Sequence, residues 1–233
     1  MASSGVTALD AQLGGGFPRG QLSELVGPRS SGRTSLLLHM LAAATARGEL
    51  VALIDALDML DVQSAQTAGI DLSQMLWIRG HVVSNPGMCR DLNHRAVEQA
   101  IRALTLVLQA GNFGLVVFDA AEAPAEAIRR LPFTTWLRLQ RLIEGSQTTA
   151  VLVGTEPMAR SSAGLTIKLE KAPNSSPRSS DQLQLPSFGR LPVVTSFQTQ
   201  IVRARPSYKR FERAGVLAGG ARVAFTTIAA DCA

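Results

Sequence analysis

Apolar residues along this chain fall into short unbroken runs separated by stretches of helical spacing. The runs "QLSELVG" (residues 21–27), "ELVALID" (49–55), "MLWIRG" (75–80), "GLVVFD" (114–119) and "TAVLVG" (149–154) each predict a strand. Runs of this length without in-out alternation belong to strands covered on both faces. Four helices are predicted between them. Residues 35–47 close at Gly48, and residues 58–68 close at Gly69. Residues 90–110 are long and amphipathic, with Ala96, Ile101, Leu104 and Leu108 near one face, and residues 134–145 carry Leu139 and Leu142 on an apolar face. Strands alternating with helices predict an α/β fold, a mostly parallel sheet flanked by helices. After Leu152 the texture changes. "GLTIKLE", "TSFQTQIVRAR" and "ARVAFTTIA" read as strands with no helix between them, and are expected to extend the sheet in an antiparallel sense. Residues 172–192 are rich in Ser and Pro, lack periodicity, and read as an exposed flexible loop. The expected organisation is a core over 1–171, the loop 172–192, and C-terminal strands over 193–233 that complete the same domain.

Composition narrows the class. The chain has 233 residues, 46% hydrophobic and 18% charged, which suits a folded soluble domain. No apolar run reaches the length of a membrane span, and the first ten residues lack the basic-then-apolar pattern of a secretory signal. Cys89 and Cys232 are the only cysteines, too few for a disulfide framework or a zinc cluster. A cytoplasmic location, with no membrane partner, is the expectation. Net charge is +5, carried almost wholly by arginine, since lysine occurs only at Lys168, Lys171 and Lys209. Guanidinium forks suit phosphate and carboxylate, although a genome biased toward arginine accounts for the excess equally well. His39 reads as packed on its helix. His81 and His94 have no metal-ligand spacing.

The candidate chemistry lies in "GPRSSGRTS". Gly27 and Gly32 allow backbone amides to converge on an anion, and the helix that follows adds its N-terminal dipole. Ser30, Ser31, Gly32, Arg33, Thr34 and Ser35 complete a phosphate-binding loop with the spacing G-x4-G-x-T. Thr34 stands where such loops place a magnesium-ligating hydroxyl. The run "LVVFD" ends in Asp119, the usual second element, whose carboxylate holds magnesium through water. Thr34 and Asp119 are therefore the candidate Mg2+ residues. Arg33 stands where the pattern has lysine.

The segment "ALDAQLGGGFPRGQLSELVGPRSSGRTSLLLHMLAAATARGELVALIDALDMLD" resembles the start of the RecA recombinase core, and the resemblance runs through "LVVFD" to the late strands. It implies a RecA-like P-loop fold and ATP with Mg2+ as cofactor. RecA proteins carry an N-terminal segment that docks on a neighbouring protomer and a further C-terminal domain. This chain starts almost at the core, and such reduced cores resemble ImuA, an accessory protein of SOS mutagenesis. The departures concentrate in the chemistry. Leu57 replaces the glutamate that activates water in RecA, Arg33 replaces the lysine, and Glu156 falls near a phosphate-sensing glutamine. Loss of a base alone lowers a rate by roughly 100- to 10,000-fold, so efficient hydrolysis is not expected.

The family's DNA loops are altered as well. Only residues 157–164 separate the stretch "TAVLVGTE" from "LTIKLE", too short for the second DNA loop. The first is replaced by "IRRLPFTTWLRLQR", which holds Arg129, Arg130, Phe133, Trp136, Arg138 and Arg141. Three readings stand for it: single-stranded DNA held by charge and stacking, a protein hot spot, or a helix with a core tryptophan and solvated arginines. In "VRARPSYKRFERAG", Arg203 and Arg205 match a lysine pair that reaches the next protomer's ATP site in RecA. They are read as a retained inter-subunit face, against edge-strand charges that deter aggregation. Tyr208, Lys209, Arg210 and Phe211 follow. The expected function is an accessory role in the DNA-damage response and translesion mutagenesis, with RecA or a translesion-polymerase-like protein as partner. Any single-stranded DNA binding would be weak, and with one docking face such a chain would cap a RecA filament. The alternatives are an ATP-dependent recombinase and a SulA-like division inhibitor.

Overall fold

The computed structural model describes residues 1–80, 90–159, 162–171, 195–204 and 222–227. Its centre is an eight-stranded sheet of β1 (Leu22–Val26), β2 (Val51–Asp55), β3 (Met75–Arg79), β4 (Leu115–Asp119), β5 (Thr149–Gly154), β6 (Leu165–Lys171), β7 (Thr195–Ala204) and β8 (Arg222–Thr227). The strand order is β3-β2-β4-β5-β1-β6-β7-β8. The six strands from β3 to β6 are parallel, and β7 and β8 add on antiparallel. Every residue of β1, β2 and β5 is buried, as their unbroken apolar runs require.

Helices cover both faces. On one, α1 (Thr7–Gln12), α2 (Arg33–Ala46) and α3 (Val62–Thr67) bury Leu9, Leu36, Leu37, Met40 and Ala65 against Leu53, Val117 and Val153. On the other, α4 (Arg90–Ala110), α5 (Ala125–Arg129) and α6 (Phe133–Ile143) bury Val97, Leu104, Trp136 and Leu139 against Ile54, Val116, Phe118 and Leu152. α4 matches its expected bounds. α2 begins two residues before the predicted start, with Gly32 as N-cap in the left-handed region (φ 91°), where a side chain would be strained.

Two expectations need correction. The helix expected over 58–68 forms only as α3, because the Asp55 carboxylate accepts hydrogen bonds from the amides of Met59 (2.9 Å) and Leu60 (2.8 Å). That holds the chain non-helical until Asp61 caps α3 by accepting from Ser64 N (2.8 Å). The strand "GLTIKLE" is parallel to β1, not antiparallel. A parallel β5-to-β6 step over the intervening β1 needs a crossover, and Glu24 holds it. Fully buried in β1, Glu24 accepts from Met158 N and Ala159 N, both at 2.7 Å, and from Thr166 Oγ1 at 2.8 Å. Residues 157–159 and 162–164 thus form parts of a strap whose Met158, Ala159 and Ala163 are buried on the α4–α6 face. β8 pairs with β7 along Thr195–Gln200. The loop 172–192 lies outside the described residues, as do Arg205, His81, Cys89 and Cys232.

Candidate functional site

The glycine-rich loop joins β1 to α2 at the carboxyl end of the parallel strands, where open α/β sheets place their ligands. Gly27 is a close-approach position: a Cβ there would lie 2.5 Å from the Leu169 carbonyl oxygen and 2.7 Å from Ser31 Oγ. Ser30 takes a left-handed backbone (φ 61°), as does Gly32. No side chain caps the N-terminus of α2, so its first amides stay available to a ligand. Ser30 and Thr34 are exposed, and Ser35 and Gly32 are half-buried. Ser31 and Arg33 are buried, and Ser31 Oγ and Arg33 Nη1 have no hydrogen-bond partner. Two such orphaned groups in a glycine cradle are what a bound anion would satisfy.

Arg33 is 6% exposed, and burial lowers its pKa while Asp119 and Glu122 oppose that shift. Its Nη2 lies 3.8 Å from Glu122 Oε1. Glu122 also accepts from exposed Arg29, whose Nε is 2.8 Å from Oε2 and whose Nη2 makes a second, closer contact to the same oxygen. One carboxylate therefore sits against both arginines of the loop. Asp119, at the end of β4, accepts from Ala121 N (2.9 Å). Its carboxyl is pushed up to about 6, chiefly by burial and further by Asp55 and Glu122, against the pull of Arg33. Asp55 stands beside it in register on β2. The structure thus gathers Gly27, Ser31, Arg33 and Asp119 at one mouth. It adds Arg29, Glu122 and Asp55, which sequence reasoning missed. The available signal was an acid three residues beyond Asp119 and an arginine inside the loop.

The corner beyond β2 is different in kind. Leu57 is buried among Ala56, Val97 and Ile54. Asp58, in a left-handed conformation (φ 58°), accepts two 2.7 Å hydrogen bonds from Arg79, whose guanidinium lies 4.7 Å from the Trp77 ring centroid. Arg79 holds the Asp58 carboxyl below the usual carboxylate range. Glu156 is paired with Arg129 at 2.6 Å. Of the aromatics in residues 128–141, Trp136 is in the core at 2% exposure. Arg203 stands opposite Thr166, beyond the reach of β8, next to a register shift between Thr166 and Ile167.

A strand–glycine loop–helix unit on a parallel sheet, with an acid ending the second strand away, defines the P-loop α/β class. Within that class the chain belongs to the RecA family: the model described as the RecA N-terminal domain matches residues 1–129. Protein RecA of Corynebacterium aurimucosum is 38% identical over 122 residues, which cover 52% of this chain and 29% of that protein. Protein RecA of Nocardioides sp. is 39% identical over 121 residues, covering 52% of this chain and 31% of that protein. The chain thus matches less than a third of the length of these relatives. Among solved structures, the RadB recombinase superposes with a TM-score of 0.58 at 19% identity, covering 97% of this chain and 96% of that one. That likeness concerns the fold. Among the described residues, no helix is long and apolar enough to cross a membrane.

Proposed function

We propose that this chain is an ImuA-like accessory protein of the DNA-damage response, in which a RecA-family core binds a nucleoside triphosphate with little turnover. The observation that carries this reading is Leu57. It packs into the apolar core at the position the resemblance gives to the water-activating glutamate, and its neighbour Asp58 is engaged by Arg79. A general base must reach the water it activates, and neither side chain is free to do so. The binding half supports the rest of the reading. Gly27, Ser30, Ser31, Gly32, Arg33, Thr34 and Ser35 would hold the phosphates of ATP, and Thr34 and Asp119 would hold Mg2+. The orphaned donors at Ser31 and Arg33 suit such a ligand. The metal's part is to neutralise charge on the phosphate oxygens.

The partners of this reading are RecA or a translesion-polymerase-like protein, contacted through the region of Arg203 and Arg205, with only weak, salt-sensitive binding of single-stranded DNA. The family membership itself also supports a second reading, an ATP-dependent recombinase. Strand exchange separates the two. An accessory protein catalyses none alone and changes the rate of RecA when added at substoichiometric amounts. Exchange by this chain alone would establish the recombinase, and no effect on RecA would remove RecA as partner.

A further inference from the structure

On the sheet face opposite α2 lies a groove that the nucleotide site does not use. It runs between α4 and α6 and encloses about 360 Å³. Its floor is Ile101 and Leu139, both buried. Its rims are Leu106 and Leu142, exposed by 68% and 37%. Arg102 and Arg138 also line it, and both are exposed. The same pair recurs on each helix four residues apart, Arg102 with Leu106 and Arg138 with Leu142, so each pair shares one helical face. Two facing stripes of this kind combine an open apolar trough with positive charge, and no acid is among the lining residues.

We infer that this groove is the docking site for an acidic amphipathic helix of a partner protein. The helix would lay its apolar stripe between Leu106 and Leu142 and set its carboxylates against Arg102 and Arg138. The chemistry selects this occupant over three others. Single-stranded nucleic acid is held by stacking as well as charge, yet no aromatic ring lines the groove, and Trp136 of α6 is buried in the core. The chain's own segment 205–221 carries Arg205, Lys209, Arg210 and Arg213 against Glu212 alone, so like charge opposes its docking here. A second copy meeting this face with the same face would bring the arginines of both copies together, which disfavours a symmetric dimer.

The test uses a fluorescein-labelled peptide about five helical turns long, with leucines on one face and glutamates on the rest. A permuted peptide of the same composition, with its leucines scattered, is the control. Anisotropy should show binding of the patterned peptide only. Leu106→Ser, and separately the double variant Arg102→Glu/Arg138→Glu, should each weaken it by at least about tenfold, the loss expected at an interface hot spot. All these side chains are exposed, so thermal melts should match the parent. Arg33→Ala should leave peptide binding unchanged, which separates this surface from the nucleotide reading. Equal binding of both peptides, or of neither, overturns the proposal. So does undiminished binding by Leu106→Ser. A labelled single-stranded oligonucleotide that binds and is lost only in the arginine variant would make this a nucleic-acid face instead. Self-association of the parent that Leu106→Ser abolishes would make it a subunit interface.

Discussion

The mouth of the glycine loop and the corner beyond β2 meet at Asp55 and satisfy their charged groups in opposite ways. At the loop, Ser31 and Arg33 are buried with donors unmet, and Asp119 is half-buried beside Asp55 and Glu122. At the corner, Asp55 is bonded to two backbone amides, Asp58 is bonded to Arg79, and Leu57 is part of the core. An unmet buried donor carries a penalty that a ligand can remove. A set of groups that already satisfy each other offers a ligand little. Under the function proposed here, the difference puts the chemistry of this RecA-family chain in holding an anion, and not in activating water.

The comparison breaks most severely at Leu57. Leu57→Glu would place a carboxylate in an apolar cluster, which is expected to destabilise the fold by about 2–4 kcal/mol in urea unfolding. It should produce no DNA-stimulated phosphate release, because position 57 lies within the apolar core. Release that appears in this variant would show that the corner is an intact catalytic pocket lacking only its base.

Asp119 offers a gentler probe, through pH. Its folded-state value of about 6 lies above the ordinary carboxylate value. The folded chain therefore binds that proton more tightly than the unfolded chain does. The stabilisation is complete below the ordinary value and is lost as pH rises through about 6. Asp119→Asn stays neutral throughout. It is expected to melt about 2–8 °C above the parent at neutral pH, with the gap closing toward about pH 4. A gap that does not change with pH would mean the carboxyl is not strained by burial. The smallest effect belongs to the corner. Asp58→Asn, which also tolerates the left-handed backbone, breaks a pair whose arginine is mostly exposed and should lower stability by less than about 1 kcal/mol. It should leave anion binding untouched. A change in ATP affinity would tie the two regions together.

Much of this was legible because the signals are local. Apolar runs marked five of the six parallel strands, and the glycine spacing with Asp119 marked the mouth. What escaped depends on partners distant in sequence. The start of α3 is set by Asp55 capturing two amides ahead of it, which no helical periodicity registers. The direction of β6 is set by its crossing over β1, and Glu24 reads as an anomaly in an apolar strand until the strap it binds is seen. Arg29 and Glu122 are 93 residues apart and acquire meaning only as a pair. Trp136 and the arginines around it gave three readings because a helical segment does not announce which side its tryptophan faces.

The central claim, binding without turnover, is tested most directly in one sample. Mg2+ and ATP are titrated calorimetrically into the protein, and phosphate release is then followed in the same cell before and after single-stranded DNA is added. Saturable binding that Arg33→Ala abolishes, with release at the protein-free rate throughout, is the expected result. DNA-stimulated release that is lost in Arg33→Ala, or no binding at all, would contradict it.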